Sequence, residues 1–455
     1  MTGKSTKTAG QRPRPDKGDA VLSPTVFQPY VQHLAQLLNA SAMEGAVAKQ
    51  AELAAALNGQ PSRELRKLYT IDCLRNTGTY FTGSALANRL ITQLKTILPN
   101  VKQIVDPACG AGDLLVACAR HLPLKTDVIK TLEDWGQRLA GFDINYAFVE
   151  ATRYRLALLA LERSRSPADI FLKDLPLNVF FPYIRSCSGM EDWRLRANPS
   201  LIVVNPPFSY GEAVKGCTWG GGRVSQAASF IDNCLRNAGE DTRLLAILPD
   251  VLRTGTRYER WRRMVAEKAR ISSVRIAGQF DEVTEISVFL LELENCKPQN
   301  TQHVSWACPS LSAKRRVKDL FDVRVGPVVP FRLDGGGSWY PYAHSKTLLP
   351  WQTVRALNEH TRFKGTTYRP PFVAIRRTSK ADYQIRCIGT IVTGKKPIAI
   401  ENHLLVVMPR DKKVSTCKKL LKLLKEDSTS RWMNERIRCR HLTVSSITDL
   451  PWPED

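Results

Sequence analysis

Val101-Lys102-Gln103-Ile104-Val105-Asp106-Pro107-Ala108-Cys109-Gly110-Ala111-Gly112-Asp113 is the stretch that decides the fold. Val101 to Val105 is a short β-type run, and Ala111 to His121 has helical periodicity. Between them lie an acid and two glycines one residue apart. Glycines at a strand-to-helix turn let the backbone come close to a ligand. A carboxylate at the strand end suits an ammonium group and repels a pyrophosphate. The next strand, Arg138 to Phe142, runs into Asp143, where an acid can accept both hydroxyl hydrogens of a ribose. Asp143 also fits a plainer role as the cap of the helix Asn145 to Arg163.

The alternation continues outward from this turn. Leu201 to Val204, Leu244 to Leu248, Val274 to Gly278 and Val288 to Leu293 are further strand-like runs, with amphipathic stretches among them. Strand and helix in turn predict an α/β domain with a largely parallel sheet. Residues 24 to 58, rich in Ala, Leu and Gln, predict a helical region before it. After about residue 296 the texture changes. Turn residues such as Gly335 to Gly337 and Pro370-Pro371 divide short β-rich runs (Val373 to Arg376, Arg386 to Val392, Leu404 to Val407), and a basic helix, Thr416 to Glu426, follows. The expected layout is a disordered basic arm over 1–20, a helical region over 21–75, an α/β domain over 76–299 and an α+β domain over 300–455.

The apolar run Leu201-Ile202-Val203-Val204 leads directly into Asn205-Pro206-Pro207-Phe208. Pro207 lacks an N–H and biases Pro206 towards extended geometry, which aims the Pro206 carbonyl and the Asn205 side chain outward. Two acceptors held together at a strand end suit a planar NH₂ group. Gripping both of its hydrogens favours the pyramidal nitrogen and frees its lone pair for direct displacement, through proximity and preorganised electrostatics. Phe208 offers a face for stacking a base that has left its helix. The glycine turn and the two acids describe a pocket for a nucleoside that carries an amino acid, a description that S-adenosylmethionine fits. No metal and no covalent intermediate is required.

With these motifs in this order, the chain resembles the gamma-class adenine-N6 DNA methyltransferases, which include many type I and type II modification subunits. The resemblance covers roughly 70 to 295 and takes in a segment before the glycine turn, Gly78-Thr79-Tyr80-Phe81-Thr82-Gly83, that matches the family's cofactor clamp. It implies a class I methyltransferase-like fold, a mostly parallel Rossmann-type sheet flanked by helices. It also implies S-adenosylmethionine as cofactor and double-stranded DNA as partner, with an adenine N6 as the methyl acceptor. Thr82 matches the threonine that holds the cofactor carboxylate. Asp106, Ala108 and Gly110 match the glycine-loop motif, and Asp143 the ribose-binding acid. Asp174 resembles the acid near the cofactor adenine, and Phe280 the aromatic that packs on the flipped base, although a core phenylalanine fits Phe280 as well. Asn205, Pro206, Pro207 and Phe208 form the catalytic motif. The chain departs from the family at Gly83, where proline is usual, and at Phe208, where tyrosine is commoner. Related Asn-Pro-Pro-aromatic motifs serve enzymes that methylate RNA or protein glutamine. A silent DNA-binding homologue is the rival from another class.

Composition agrees with a polyanion partner. The net charge is +23, and residues 311 to 455 alone hold 28 Lys/Arg against 13 Asp/Glu, a net of +15. In the family a variable segment outside the catalytic domain reads the DNA sequence, and 300–455 fits that place. Arg376, Arg377, Lys395, Lys396, Arg438 and Arg440 are the expected DNA-binding cations. The 11 cysteines are scattered without metal spacing, and are expected to be buried thiols in a reducing cytoplasm. No apolar run approaches membrane length, and the basic N-terminus lacks the apolar core of a secretory signal. With no nuclease motif, any restriction or defence partner is expected to be a separate chain.

Overall fold

The computed structural model describes residues 22–44, 48–164, 176–191, 193–281, 284, 286–294, 306, 314–381, 383–438 and 440–453. The chain forms two compact units, Met1–Ala213 with Gly222–Leu244, and Val214–Gly221 with Leu245–Asp455.

The first unit opens with four helices, α1 (Pro24–Glu44), α2 (Gln50–Leu57), α3 (Gln60–Leu68) and α4 (Ile71–Thr77). The clamp segment follows, then α5 (Ser84–Ile91), β1 (Gln103–Asp106), α6 (Asp113–Ala119), α7 (Val128–Arg138), β2 (Leu139–Asp143) and α8 (Tyr146–Ser164). Beyond α8 come α9 (Leu177–Phe180), β3 (Ile184–Ser186), β4 (Ser200–Val204), the hairpin β5 (Tyr210–Glu212) and β6 (Arg223–Ser225), and α10 (Gln226–Asn237). β1 pairs in parallel with β2 and β4, Ile104 facing Leu139 on one side and Leu201 on the other. β2 pairs in parallel with β3. Every residue of β1 and β4 is buried, as expected of parallel strands covered on both faces, which read as unbroken apolar runs. The seven-stranded sheet has the order β3-β2-β1-β4-β7-β9-β8, where β7 is Thr242–Pro249, β8 Arg270–Gln279 and β9 Ser287–Glu294. The expected mostly parallel α/β sheet is present, with β8 antiparallel to β9.

In the second unit α11 (Asp250–Thr254) and α12 (Glu259–Lys268) precede β8. Beyond β9 it is built from β10 (Arg315–Arg316), α13 (Val317–Leu320), β11 (Phe321–Val325), β12 (Ser338–Ala343), β13 (Thr353–Val354), β14 (His360–Phe363), β15 (Phe372–Arg376), β16 (Gly389–Val392), β17 (Ala399–Ile400) and β18 (Leu404–Pro409). The chain closes with α14 (Val414–Lys425), α15 (Asp427–Arg436), α16 (Val444–Thr448) and β19 (Pro451–Trp452). A five-stranded sheet ordered β11-β18-β15-β16-β13 shares a core with the apolar side of α14, where Leu420 and Leu424 are fully buried. Within this unit Asp250 and Arg253 form a buried ion pair at 2.7 Å. Arg253 Nη1 donates to the Glu435 carbonyl at 2.9 Å, and Asp250 accepts from the Arg438 N–H at 2.9 Å. The helix after β7 is therefore joined to the chain's last fifty residues by charge-assisted bonds.

Candidate active site

β1 delivers Asp106 to the end of the sheet, 1% exposed, where one carboxylate oxygen accepts the Ala108 N–H at 3.0 Å. Burial is the main cause that pushes its carboxyl up to about 8; the Ala108 bond opposes it, and the nearby Asp143 and Asp113 carboxylates add to it. β2 delivers Asp143, which accepts from Gly110 N at 3.1 Å and from Asn145 N at 2.8 Å. Burial raises its carboxyl to about 6 against those two bonds. The bond to Asn145 is an Asx turn and not the expected helix cap, because α8 begins at Tyr146 and Asn145 itself caps it by accepting the Ala147 N–H at 3.0 Å. The bond to Gly110 ties the second strand end to the glycine turn. Gly110 has φ +51, and a Cβ there would lie 2.9 Å from the Phe81 ring, so the clamp sits against the turn where a side chain would otherwise project.

The clamp also lies against the Asn-Pro-Pro-Phe turn. Gly78 has φ +70, and a Cβ on it would meet the Ser209 backbone nitrogen at 2.6 Å. Its carbonyl accepts the Phe208 N–H at 3.3 Å. Asn205 Nδ2 donates to the Tyr80 carbonyl at 3.2 Å and to Thr82 Oγ1 at 3.0 Å. These bonds fix the amide orientation and turn Oδ1 the other way. Asn205 Oδ1 is buried and has no hydrogen-bond partner among the described residues. A buried acceptor left unpaired costs about 1–3 kcal/mol. Phe208 is half-buried, its ring 6.1 Å from that of Tyr80 and tilted by 38°.

One cavity of about 1330 Å³ is lined by Thr82, Asp106, Ala108, Gly110, Asp143, Asn205 and Pro207, whereas Pro206 and Phe208 of the same motif are not among its lining residues. That volume exceeds the roughly 300–1,000 Å³ usual for a single small-molecule site. The glycine turn, the second acid, the clamp and the Asn-Pro-Pro motif, read separately along the sequence, thus meet. Asp174 lies outside the described residues. Phe280 belongs to the second unit, buried at 6% exposure, with its N–H donated to the Ile286 carbonyl at 2.8 Å.

Several residues of this site escaped the sequence. Arg155, inside α8 and fully buried, pairs with Asp113 at 2.9 Å. It also donates to the carbonyls of Ala111 in the glycine turn and Ala56 in α2. The other oxygen of Asp113 accepts the N–H of Gly83 at 2.8 Å. Gly83 has φ +70, which proline cannot adopt, and proline would lack the donated hydrogen. The glycine at this position therefore replaces a stiff clamp end with one held by a carboxylate. Gln226, at the start of α10, lines the same cavity, and a Cβ on Gly211 would fall 1.8 Å from its amide nitrogen.

In the second unit Lys395, Lys396 and Arg440 are exposed. Arg376 donates to the carbonyls of Ser345 at 3.1 Å and Leu348 at 3.4 Å, and Arg377 to that of Asn402 at 3.4 Å. Both guanidiniums are half-buried and hold backbone, and Arg438 is fastened through its N–H to Asp250. Cys109, Cys118, Cys234, Cys387 and Cys417 are buried free thiols as expected, whereas Cys73, Cys187 and Cys217 are free thiols that are only half-buried. Among the described residues no helix is long and apolar enough to cross a membrane.

No curated protein matches the chain. Among solved structures, the type IIL restriction-modification enzyme MmeI, determined in complex with DNA, aligns with a TM-score of 0.52 at 13% identity, over 85% of this chain and 70% of that one. A modification subunit of a type I restriction enzyme from Vibrio vulnificus YJ016 matches at 20% identity and a TM-score of 0.37, over 52% of this chain and 47% of that one. A type I methyltransferase subunit from Streptococcus thermophilus matches at 14% identity and a TM-score of 0.33, over 51% and 52%. The chain thus spans about half the length of these two subunits. The profile of the N-6 DNA Methylase family matches residues 67–307, from the end of α3 to beyond β9 and across both halves of the cavity. On that match the chain belongs to the N-6 DNA methylase family.

Proposed function

We propose that this chain transfers a methyl group from S-adenosylmethionine to the N6 amino group of an adenine turned out of double-stranded DNA. The observation that carries the reading is Asn205 Oδ1, a buried acceptor without a donor on the wall of a cavity that also holds two raised carboxyls. S-adenosylmethionine, when bound, supplies an electrophilic methyl on a sulfonium. Asp106 suits its ammonium, because a cation beside this buried acid offsets the desolvation that otherwise keeps it protonated. Asp143 suits the ribose hydroxyls, and Thr82, which accepts from Asn205, still has its own hydroxyl hydrogen to give to a carboxylate. Asn205 Oδ1 and the Pro206 carbonyl accept the two amino hydrogens of the adenine and raise the nucleophilicity of its nitrogen. Phe208 stacks on the base without the hydrogen bond that a tyrosine would add. Residues 300–455 act as the target-recognition region, with Lys395, Lys396 and Arg440 on phosphates.

Modified-base sequencing of DNA from cells that express the protein tests this reading. The expected result is N6-methyladenine at one short motif with the wild type and its absence with Asn205→Ala. Unmodified adenine in both, with the protein folded and S-adenosylmethionine supplied, would refute it.

A further inference from the structure

The second unit carries two large aromatic side chains that its own core does not use. Phe321, Phe372, Trp432 and Trp452 are all buried there, whereas Phe331 is 83% exposed and Trp339 is 64% exposed. Single exposed aromatics need no explanation. These two lie eight residues apart, and each has a guanidinium over its ring. Arg332 lies 5.6 Å from the Phe331 centroid, and Arg362 lies 5.3 Å from that of Trp339. Trp339 and Arg362 are directly opposed across the antiparallel pair β12–β14, so this contact is set by strand register. Between the two aromatics runs Gly335-Gly336-Gly337, with φ +73 at the first and +96 at the third, and a Cβ on Gly337 would strike the Phe363 backbone at 2.4 Å. Residues 331–339 are exposed but for Leu333 and Gly336, which are half-buried.

The charge of this projection has one sign left over. Its acids between 330 and 364, Asp334 and Glu359, are engaged within it, by Lys364 at 3.0 Å and by His344 at 2.9 Å. No acidic partner is seen for Arg332 or Arg362 among the described residues. Arg362 gives one N–H to the Gly335 carbonyl at 3.5 Å, and a guanidinium stacked on a ring keeps its remaining in-plane N–H groups for an anion. Aromatic faces beside arginines are the combination that apolar wedges and phosphate contacts require of a protein that deforms a duplex.

We propose that residues 330–339, with Arg362 of β14, form a wedge that meets duplex DNA, Trp339 and Phe331 stacking on base or sugar faces and Arg332 and Arg362 binding the flanking phosphates. The assignment rests on the DNA-methylating function proposed above and adds the element that grips and distorts the duplex. The test is fluorescence-anisotropy titration of full-length protein with a labelled DNA duplex that carries its methylation motif, with an RNA duplex of the same sequence alongside. Trp339→Ala and Phe331→Ala are expected each to weaken DNA binding roughly tenfold, the scale of one lost base–aromatic stack. Trp339→Phe is expected to restore most of it, and Arg362→Gln to lower the slope of log affinity against log salt by about one. Thermal stability and S-adenosylhomocysteine binding should stay at wild-type values, because the side chains are exposed and belong to the second unit. Wild-type binding of DNA with Trp339→Ala, Phe331→Ala and Arg362→Gln all within twofold would overturn the wedge and leave the methylase reading intact. Equal or tighter binding of the RNA would overturn the choice of DNA. A wild type that binds neither duplex would remove both.

Discussion

Asn205 Nδ2 donates to Thr82 Oγ1 at 3.0 Å, across 123 residues of sequence. The bond joins the catalytic motif to the clamp and sets which face of the amide looks into the cavity. Asn205→Ala removes both the cavity acceptor and this bond, and is expected to lower turnover by at least a hundredfold, on the scale of losing one preorganised transition-state contact. S-adenosylhomocysteine binding, measured by calorimetry, should weaken by less than tenfold. Thr82→Val, which keeps the shape but leaves the amide free to flip, should lower turnover and cofactor affinity together. Near-normal turnover of Asn205→Ala would discard the acceptor role.

Gly83 gives its N–H to Asp113 from a positive-φ backbone. Gly83→Pro therefore removes a donor and forces a forbidden φ, despite restoring the residue common in the family. We expect it to destabilise the protein by about 3 kcal/mol or more and to weaken cofactor binding, both read from thermal melts with and without S-adenosylhomocysteine. A more stable, tighter-binding Gly83→Pro would contradict this account of the clamp.

Asp106 has a pH signature. Its carboxyl rises from 3.8 to about 8 on burial, so between those values the folded protein holds a proton that the unfolded chain has released. Stability contributed by this group is full below about 4 and declines as pH rises towards 8. A bound ammonium favours the ionised form, so ligand affinity should rise over the same window. Calorimetry with S-adenosylhomocysteine at pH 6 and pH 8 is expected to show tighter binding at the higher value, with the dependence much reduced in Asp106→Asn. An unchanged profile in that variant would place the titrating group elsewhere, Asp143 at about 6 being the next candidate.

The Asp250–Arg253 pair bears on truncation. Both side chains are at most 2% exposed, and their outward bonds reach Glu435 and the Arg438 N–H. Removal of residues 300–455 would leave a buried guanidinium and carboxylate short of partners, a loss of about 3–5 kcal/mol by analogy with broken buried pairs. The shortened chain is expected to melt earlier or aggregate. Arg253→Met in the full chain should show part of the same loss.

What the sequence disclosed depended on how far each signal reached. The buried parallel strands were legible because covered strands are continuous apolar runs. Ser200–Val204 and Leu139–Asp143 differ from the expected runs by a residue or so at their ends. The edge strand Ile184–Ser186 was not legible, since it has one buried residue and exists through its pairing with β2. The hairpin Tyr210–Glu212 with Arg223–Ser225 was missed for the same reason. Of the candidate site, residues adjacent in sequence to a strand end could be read, because topology gathers strand ends. Arg155 could not. It lies mid-helix, 42 residues from Asp113, where a charged residue ordinarily signals the solvent face. Arg376 and Arg377 erred in the other direction in their surroundings, since a run of cations in sequence says nothing about the carbonyls that surround it.

Arg155 also ties the leading helix α2 to the glycine turn. One fully buried guanidinium takes the carbonyl of Ala56 on one side and that of Ala111 on the other while it holds Asp113. The leading helix α2 therefore backs the guanidinium that holds the glycine turn, and a protein trimmed to its family-matching span of 67–307 would keep Arg155, Ala111 and Asp113 but leave that buried guanidinium without its Ala56 acceptor.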